Sequence, residues 1–149
     1  MKNIIVRIVL SFVGLLAYLP ISAQIEYQPG MDKFVGEWIH PQGYSEFEYV
    51  LLISKRGEYI SVRMKERPPI HFIEDGTMKN EYRYLDFKNV LFSNETFKLE
   101  QTTYNSDIKI YWYIYFNKGN LLVERIYGVS SENYSNKQQI ILYPNELNF

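Results

Sequence analysis

The sequence predicts an all-β domain, an antiparallel up-and-down barrel of about eight or nine strands, preceded by an export signal. Three observations lead to this prediction. Apolar side chains alternate along short, evenly spaced segments, turn residues such as Pro68-Pro69 and Asp75-Gly76 separate these segments, and no stretch after residue 23 has helical periodicity. A β-sandwich would fit the same pattern and stays open as the alternative.

The export signal occupies residues 1–23. Lys2 and Arg7 form a positive start, residues 8–19 form an uncharged apolar stretch, and Ala23 supplies the small residue that a signal peptidase needs before Gln24. The apolar stretch is too short to cross a bilayer core of about 30 Å as a helix. The chain contains no cysteine, which excludes a lipid-anchored lipoprotein and disulfide bonds. We expect an exported protein, periplasmic or secreted, with no integral membrane segment after the signal is removed.

The rest of the chain is predicted to be a flexible lead-in at residues 24–32 and a single barrel domain at residues 33–149. Removal of residues 1–23 takes away two of the 16 basic residues and none of the 17 acidic residues, which leaves a net charge of −3. Nucleic-acid binding requires a surplus of Lys and Arg on one face. The charge balance therefore argues against a nucleic-acid partner.

The predicted strands are apolar or alternating segments bounded by turn residues. In chain order they are Phe34–His40, Glu46–Lys55, Glu58–Glu66, Ile70–Glu74, Tyr82–Asn89, Phe97–Tyr104, Asp107–Asn117, Asn120–Tyr127 and Gln138–Tyr143.

The first predicted hairpin turns at Arg56-Gly57, a two-residue connection whose glycine suits a primed turn. This register sets Ile53 opposite Ile60 and Leu51 opposite Val62. Six apolar side chains then share one face, which we expect to point into the core. They are Tyr49, Leu51, Ile53, Ile60, Val62 and Met64.

The second predicted hairpin turns at Lys118-Gly119 and sets Trp112 opposite Arg125 and Ile110 opposite Tyr127. These four residues belong to the more apolar face of the hairpin, so we assign that face inward. The guanidinium of Arg125 is then expected to point into the core. The outward face carries a row of three tyrosines, namely Tyr111, Tyr113 and Tyr115.

Two short motifs carry a resemblance to a known superfamily. The segment Phe34-Val35-Gly36-Glu37-Trp38 resembles the opening of the calycins, the lipocalins and intracellular fatty-acid-binding proteins, where a Gly-x-Trp begins the first strand. Arg125-Ile126-Tyr127 resembles the Arg-x-Tyr with which fatty-acid-binding proteins hold a ligand carboxylate. In lipocalins a late arginine instead packs over the first tryptophan and closes the barrel floor. The chain is also similar to small secreted lipocalin-like proteins of Bacteroidetes.

This resemblance implies a lipocalin-like barrel closed at its floor by Gly36, Trp38 and Arg125. It also implies that Arg125 and Tyr127 hold an anionic head group inside the barrel. A structural cation–π contact between Arg125 and Trp112 is the alternative role for the arginine. The candidate ligand-binding residues are Arg125, Tyr127, Trp112, Tyr49 and Met64.

Catalysis and metal binding find little support in the sequence. The chain has no cysteine nucleophile, only the histidines His40 and His71, and no Gly-x-Ser-x-Gly, phosphate-loop or His-Glu-x-x-His motif. On a strand, His71 and Glu74 point to opposite faces, so they do not form a metal site. We predict no catalytic residues, no metal and no cofactor.

The function expected from these observations is non-catalytic binding of a small apolar or amphipathic molecule, with an anionic lipid as its most specific form. The alternative is a solid-cored β-domain of the cell envelope that binds another protein or a glycan. Tyr111, Tyr113 and Tyr115 would form the interaction surface in that case.

Overall fold

The computed structural model describes residues 23–40, 47–68, 81–129 and 134–146. Within these ranges the chain forms strands and tight turns, together with one short 3-10 helix at Asp32–Phe34. The predicted strand Ile70–Glu74, which includes His71, lies outside the described residues.

The described ranges form ten strands, which cover most of the predicted segments. They are β1 (Ala23–Glu26), β2 (Gly36–His40), β3 (Glu48–Arg56), β4 (Tyr59–Arg67), β5 (Arg83–Leu85), β6 (Phe87–Ser93), β7 (Thr96–Gln101), β8 (Ile108–Asn117), β9 (Asn120–Val129) and β10 (Tyr134–Pro144).

The strands form one antiparallel sheet in the order β1-β4-β3-β2-β10-β9-β8-β7-β6, and β5 pairs with the end of β4. Only Asp86 separates β5 from β6. Because β5 pairs with β4 and β6 pairs with β7, this segment connects β4 to β7 and so links the two edges of the sheet. β1 occupies the remaining edge of β4 and packs against β6. The sheet is thereby nearly closed into a barrel. The predicted fold class is confirmed, as a barrel and not as a sandwich.

The hairpin of β8 and β9 has the predicted register, with Trp112 opposite Arg125 and Ile110 opposite Tyr127. Its turn has φ angles of 50° at Lys118 and 86° at Gly119. Positive φ at both central positions is the signature of a type I′ turn, whose twist matches that of the two strands. The turn therefore fixes which side chains of β9 face inward.

The hairpin of β3 and β4 departs from the predicted register by two residues, because Leu51 lies opposite Met64 and Ile53 opposite Val62. Its turn is centred on Gly57-Glu58, and Gly57 has a φ of 61°. A type II′ turn needs positive φ only at its first central position, where glycine is unstrained. A shift of two residues keeps every side chain on its face, so the six residues predicted to point inward are all buried.

Residues 24–32 are not a flexible lead-in, so this prediction is wrong. β1 pairs with β4 from Ala23 to Glu26, and Met31 is fully buried. Tyr27 donates a hydrogen bond to Asp32 Oδ2 at 2.5 Å, and Lys55 Nζ lies 3.6 Å from the centre of the Tyr27 ring. The physical reason is burial, since the apolar side chains of this segment cover the edge and one end of the barrel.

The two ends of the barrel differ in their connections. The tight turns at residues 57–58, 94–95 and 118–119 meet at one end, here called the lower end. The opposite end, here called the upper end, holds the starts of β3 and β8 and the ends of β4, β7 and β9. Residues 41–46, 69–80 and 130–133 connect strands whose described ends lie there.

Aromatic packing fills the lower end. The Phe34 ring makes edge contacts with Phe97, Phe92 and Phe116 at centroid distances of 5.1, 5.9 and 6.0 Å. Each such pair adds about 0.5–1.5 kcal/mol to the stabilisation from buried area. Trp38 donates its Nε1 hydrogen to the main-chain oxygen of Phe34 at 2.8 Å. The 3-10 helix and β2 are thus fixed together beneath the core.

Candidate ligand-binding site

The five candidate ligand-binding residues all lie on the inner wall of the barrel. Tyr49, Met64 and Trp112 are buried, while Arg125 and Tyr127 are partly buried. Arg125 and Tyr127 lie on β9 on the same face as the buried Val123, as strand alternation requires. The predicted inward faces of both hairpins therefore converge in the barrel interior.

Arg125 is the most unusual polar residue of this wall. Its guanidinium carbon lies 5.4 Å from the centre of the Trp112 ring, which is a cation–π distance. Its Nε atom is buried and has no hydrogen-bond partner among the described residues. A buried donor without a partner costs about 1–3 kcal/mol of free energy. The arginine is therefore held against an aromatic surface with a donor left unused.

Trp112 is held from two sides. Its Nε1 hydrogen is donated to Gln101 Oε1 at 2.8 Å, and its ring meets Tyr49 edge to face at 5.7 Å. β3 and β8, which carry Tyr49 and Trp112, are not neighbours in the sheet. The contact between the two rings consequently crosses the barrel interior and links opposite walls.

An ion pair that the sequence analysis missed completes this region. Glu66 lies opposite Tyr49 on β4 and is buried, with 7% of its surface exposed. Arg83 of β5 contacts Glu66 Oε1 through Nε at 2.7 Å and Nη2 at 2.6 Å. Ile60, Val62 and Met64 alternate along β4 on the inward face. Extending this alternation by two residues would have placed Glu66 on the same face. We call the group Tyr49, Glu66, Gln101, Trp112 and Arg125 the upper lumen.

Tyr49 is the hydroxyl donor of the upper lumen. Burial, together with the Glu66 carboxylate, raises the pKa of Tyr49 to about 12, while Arg125 and Arg83 oppose the increase. The phenol therefore stays protonated at neutral pH and keeps a hydrogen to donate. The charges of Glu66 and Arg125 both act on this one hydroxyl group.

The residues predicted to close the barrel floor are divided between the two ends. Gly36 begins β2 with a φ of 149°, and a Cβ added there would lie 3.6 Å from Trp38 Nε1, so these two residues are neighbours at the lower end. The structure places Arg125 against Trp112 instead of Trp38. At the lower end Lys33 lies against the aromatic cluster, with its Nζ atom 5.7 Å from the ring centres of both Phe34 and Phe116.

The outward tyrosine row is engaged with neighbouring charges. Tyr111 and Tyr113 are half-buried, and Lys98 Nζ lies 4.6 and 5.6 Å from their ring centres. Tyr115 donates to Glu124 Oε2 at 3.4 Å, and Lys137 pairs with the same carboxylate at 2.7 Å. The row is thus a mixed polar and aromatic surface.

A shallow groove of about 60 Å³ lies on the outer face of β2 to β5. Val50 and Leu52 line it together with Arg63, whose guanidinium carbon lies 4.8 Å from the Tyr84 ring centre. Arg63 over Tyr84 is therefore an outward counterpart of Arg125 over Trp112.

The described residues offer no group of three His, Asp or Glu side chains that could hold a metal ion. His40 places its Nδ1 atom 2.8 Å from the main-chain oxygen of Ile141 at the end of β2. Within the same ranges no helix is both long and apolar enough to cross a membrane.

Comparison with known proteins assigns neither a family nor a fold. The chain matches no protein-family model, no curated protein and no solved structure. The architecture itself, an all-β and nearly closed antiparallel barrel, is compatible with a calycin-like fold.

Proposed function

We propose that this chain is an exported lipocalin-like protein that binds a small apolar or amphipathic molecule in its upper lumen without catalysing a reaction. The specific form of the proposal is an anionic lipid whose head group meets Arg125 and whose chain lies among the apolar side chains of the inner wall. Export rests on the signal predicted in residues 1–23. The protein would act in the periplasm or the medium.

The buried, unused Nε of Arg125 is the observation that carries this proposal. A guanidinium has five N–H donors in a planar fork that fits a carboxylate, and the Nε hydrogen of Arg125 has no partner among the described residues. Trp112 supports one surface of the arginine, and Tyr127 follows it on the same inward face. A small anion would satisfy the donor and offset the cost of burying it.

The alternative function, a protein- or glycan-binding module, depends on the outward tyrosines. Lys98 lies over Tyr111 and Tyr113, and Glu124 accepts a hydrogen bond from Tyr115. These partners leave the row with less unused binding capacity than the upper lumen has. We therefore favour the small-molecule proposal.

Titration with a fluorescent fatty acid, 11-dansylaminoundecanoic acid, tests the proposal. We expect saturable binding by the wild-type protein and a loss of about tenfold or more in affinity in Arg125→Met, because a charge-assisted hydrogen bond contributes about 1.5–3 kcal/mol. The matched control is Arg63→Met, which removes an outward arginine with the same kind of ring contact. Absence of saturable binding, or equal losses in the two variants, would contradict the proposal.

A further inference from the structure

The upper lumen contains a second charge, of opposite sign to Arg125. Glu66 points inward from β4, and 10% of its side chain is exposed, while its partner Arg83 is 65% exposed. Burial of a carboxylate is costly unless its oxygens accept hydrogen bonds. The site therefore presents an anion as well as a cation to whatever enters it.

The hydrogen-bonding capacity of Glu66 is not exhausted by its ion pair. The described contacts of Arg83, through Nε and Nη2, are both made to Oε1. An ionised carboxylate has about four acceptor positions on its two oxygens. Glu66 therefore retains acceptor capacity, just as Arg125 retains a donor.

A continuous set of contacts connects these two groups across the barrel. Glu66 is the cross-strand partner of Tyr49, Tyr49 touches the Trp112 ring at 5.7 Å, and Trp112 is the cross-strand partner of Arg125. Both charges act on the Tyr49 hydroxyl, which agrees with their facing one region of the interior. An acceptor on β4 and a donor on β9 thus face the same region of the interior.

We infer that the ligand's polar end carries a hydrogen-bond donor, an ammonium or a hydroxyl group, beside its anion. Arg125 binds the anion, Glu66 accepts from the neighbouring donor, and Tyr49 donates from between them. This inference rests on the proposed function and narrows its ligand class from anionic amphiphiles to zwitterionic or hydroxylated ones. A plain fatty acid satisfies Arg125 but leaves Glu66 without its additional donor.

Two probes with identical chains test this assignment, namely dodecanoic acid and 2-aminododecanoic acid, which adds an ammonium next to the carboxylate. Calorimetric titration of the wild-type protein is expected to show about tenfold tighter binding of the amino acid, the effect of one charge-assisted hydrogen bond. In Glu66→Gln this preference should disappear while dodecanoate binding stays the same or becomes tighter. Arg125→Met should weaken the binding of both probes.

The matched control is Glu124→Gln, because Glu124 is an outward glutamate with a side chain 14% exposed and an ion pair to Lys137. This variant should keep the wild-type preference. A wild-type protein that binds the two probes equally, or a preference that persists in Glu66→Gln, overturns the inference and leaves the proposed function standing. Failure of both probes to bind the wild-type protein overturns the two together. The wild-type comparison decides the matter even if Glu66→Gln does not fold.

Discussion

The two tryptophans of this protein lie in the two halves of one barrel, and their surroundings differ in kind. Trp38 at the lower end donates to a main-chain oxygen, that of Phe34, and packs edge to face against Phe116 at 6.3 Å. Trp112 in the upper lumen donates to a side chain, Gln101, and its ring contacts a tyrosine and an arginine.

The difference indicates that the two ends of the core have different roles. At the lower end, apolar rings surround a hydrogen bond from the Trp38 indole to a main-chain oxygen, which is the pattern of a region that stabilises the fold. In the upper lumen, charged and hydroxyl groups enter the interior, and one donor has no partner in the described part of the chain. Buried polar groups of that kind cost stability unless they find partners, which is why we propose the upper lumen as the ligand site. Three measurements of stability test this contrast.

The largest effect should come from placing a charge in the packed wall. Leu51 is fully buried on the inner face of β3, whereas its neighbour Leu52 faces outward. We expect Leu51→Asp to lower the free energy of unfolding by more than about 4 kcal/mol, because an unpaired carboxylate would be buried. Leu52→Asp should cost far less. Equal losses in thermal and urea melts would mean that both faces of β3 are buried.

A smaller effect is expected from the Tyr49 hydroxyl at alkaline pH. Its pKa in the folded protein is about 12, above the usual value of about 10 for an unfolded chain. The folded state therefore holds its proton more tightly, so this contribution to stability is complete below pH 10 and is lost as the pH rises from 10 to 12. Urea melts across this range should fall more steeply for the wild-type protein than for Tyr49→Phe. Parallel curves would contradict the assigned environment.

The smallest effect on stability is expected from Arg125, although the proposed function makes it the residue most important for binding. Arg125→Met removes a buried donor for which the described ranges provide no partner, and it keeps an apolar side chain against Trp112. The free energy of unfolding should therefore stay within about 1 kcal/mol of the wild-type value or increase. A loss of about 2 kcal/mol or more would instead indicate a structural role for the arginine.

The features that the sequence could predict are those set by turn residues and by the alternation of side chains along a strand. The turn at Lys118-Gly119 and the alternation of side chains were enough to place Arg125 opposite Trp112. In the first hairpin the faces were predicted correctly, but the register was not. Gly57 can occupy either central position of a primed turn. Moving it from the second position to the first shifts the turn by one residue and the strand pairing by two.

Other features depend on contacts that no local pattern encodes. The ring contact between Tyr49 and Trp112 joins strands on opposite sides of the barrel, so only closure of the sheet brings the two residues together. β1 is too short to show a side-chain alternation in the sequence. It pairs with β4 because the rest of the sheet leaves that edge of β4 open. Glu66 was overlooked because a charged residue at a strand end is usually solvated.

The indole N–H resonances of the two tryptophans provide the most direct test of the division between the halves. The Trp112 indole lies beside Gln101 and Arg125, whereas the Trp38 indole is bonded to a main-chain oxygen at the lower end. In a ¹H–¹⁵N correlation spectrum, titration with 2-aminododecanoic acid should therefore shift the Trp112 signal and leave the Trp38 signal in place. The two signals are assigned by comparison with Trp38→Phe and Trp112→Phe. A shift of Trp38 alone, or no shift of either signal at saturating probe, would contradict binding in the upper lumen.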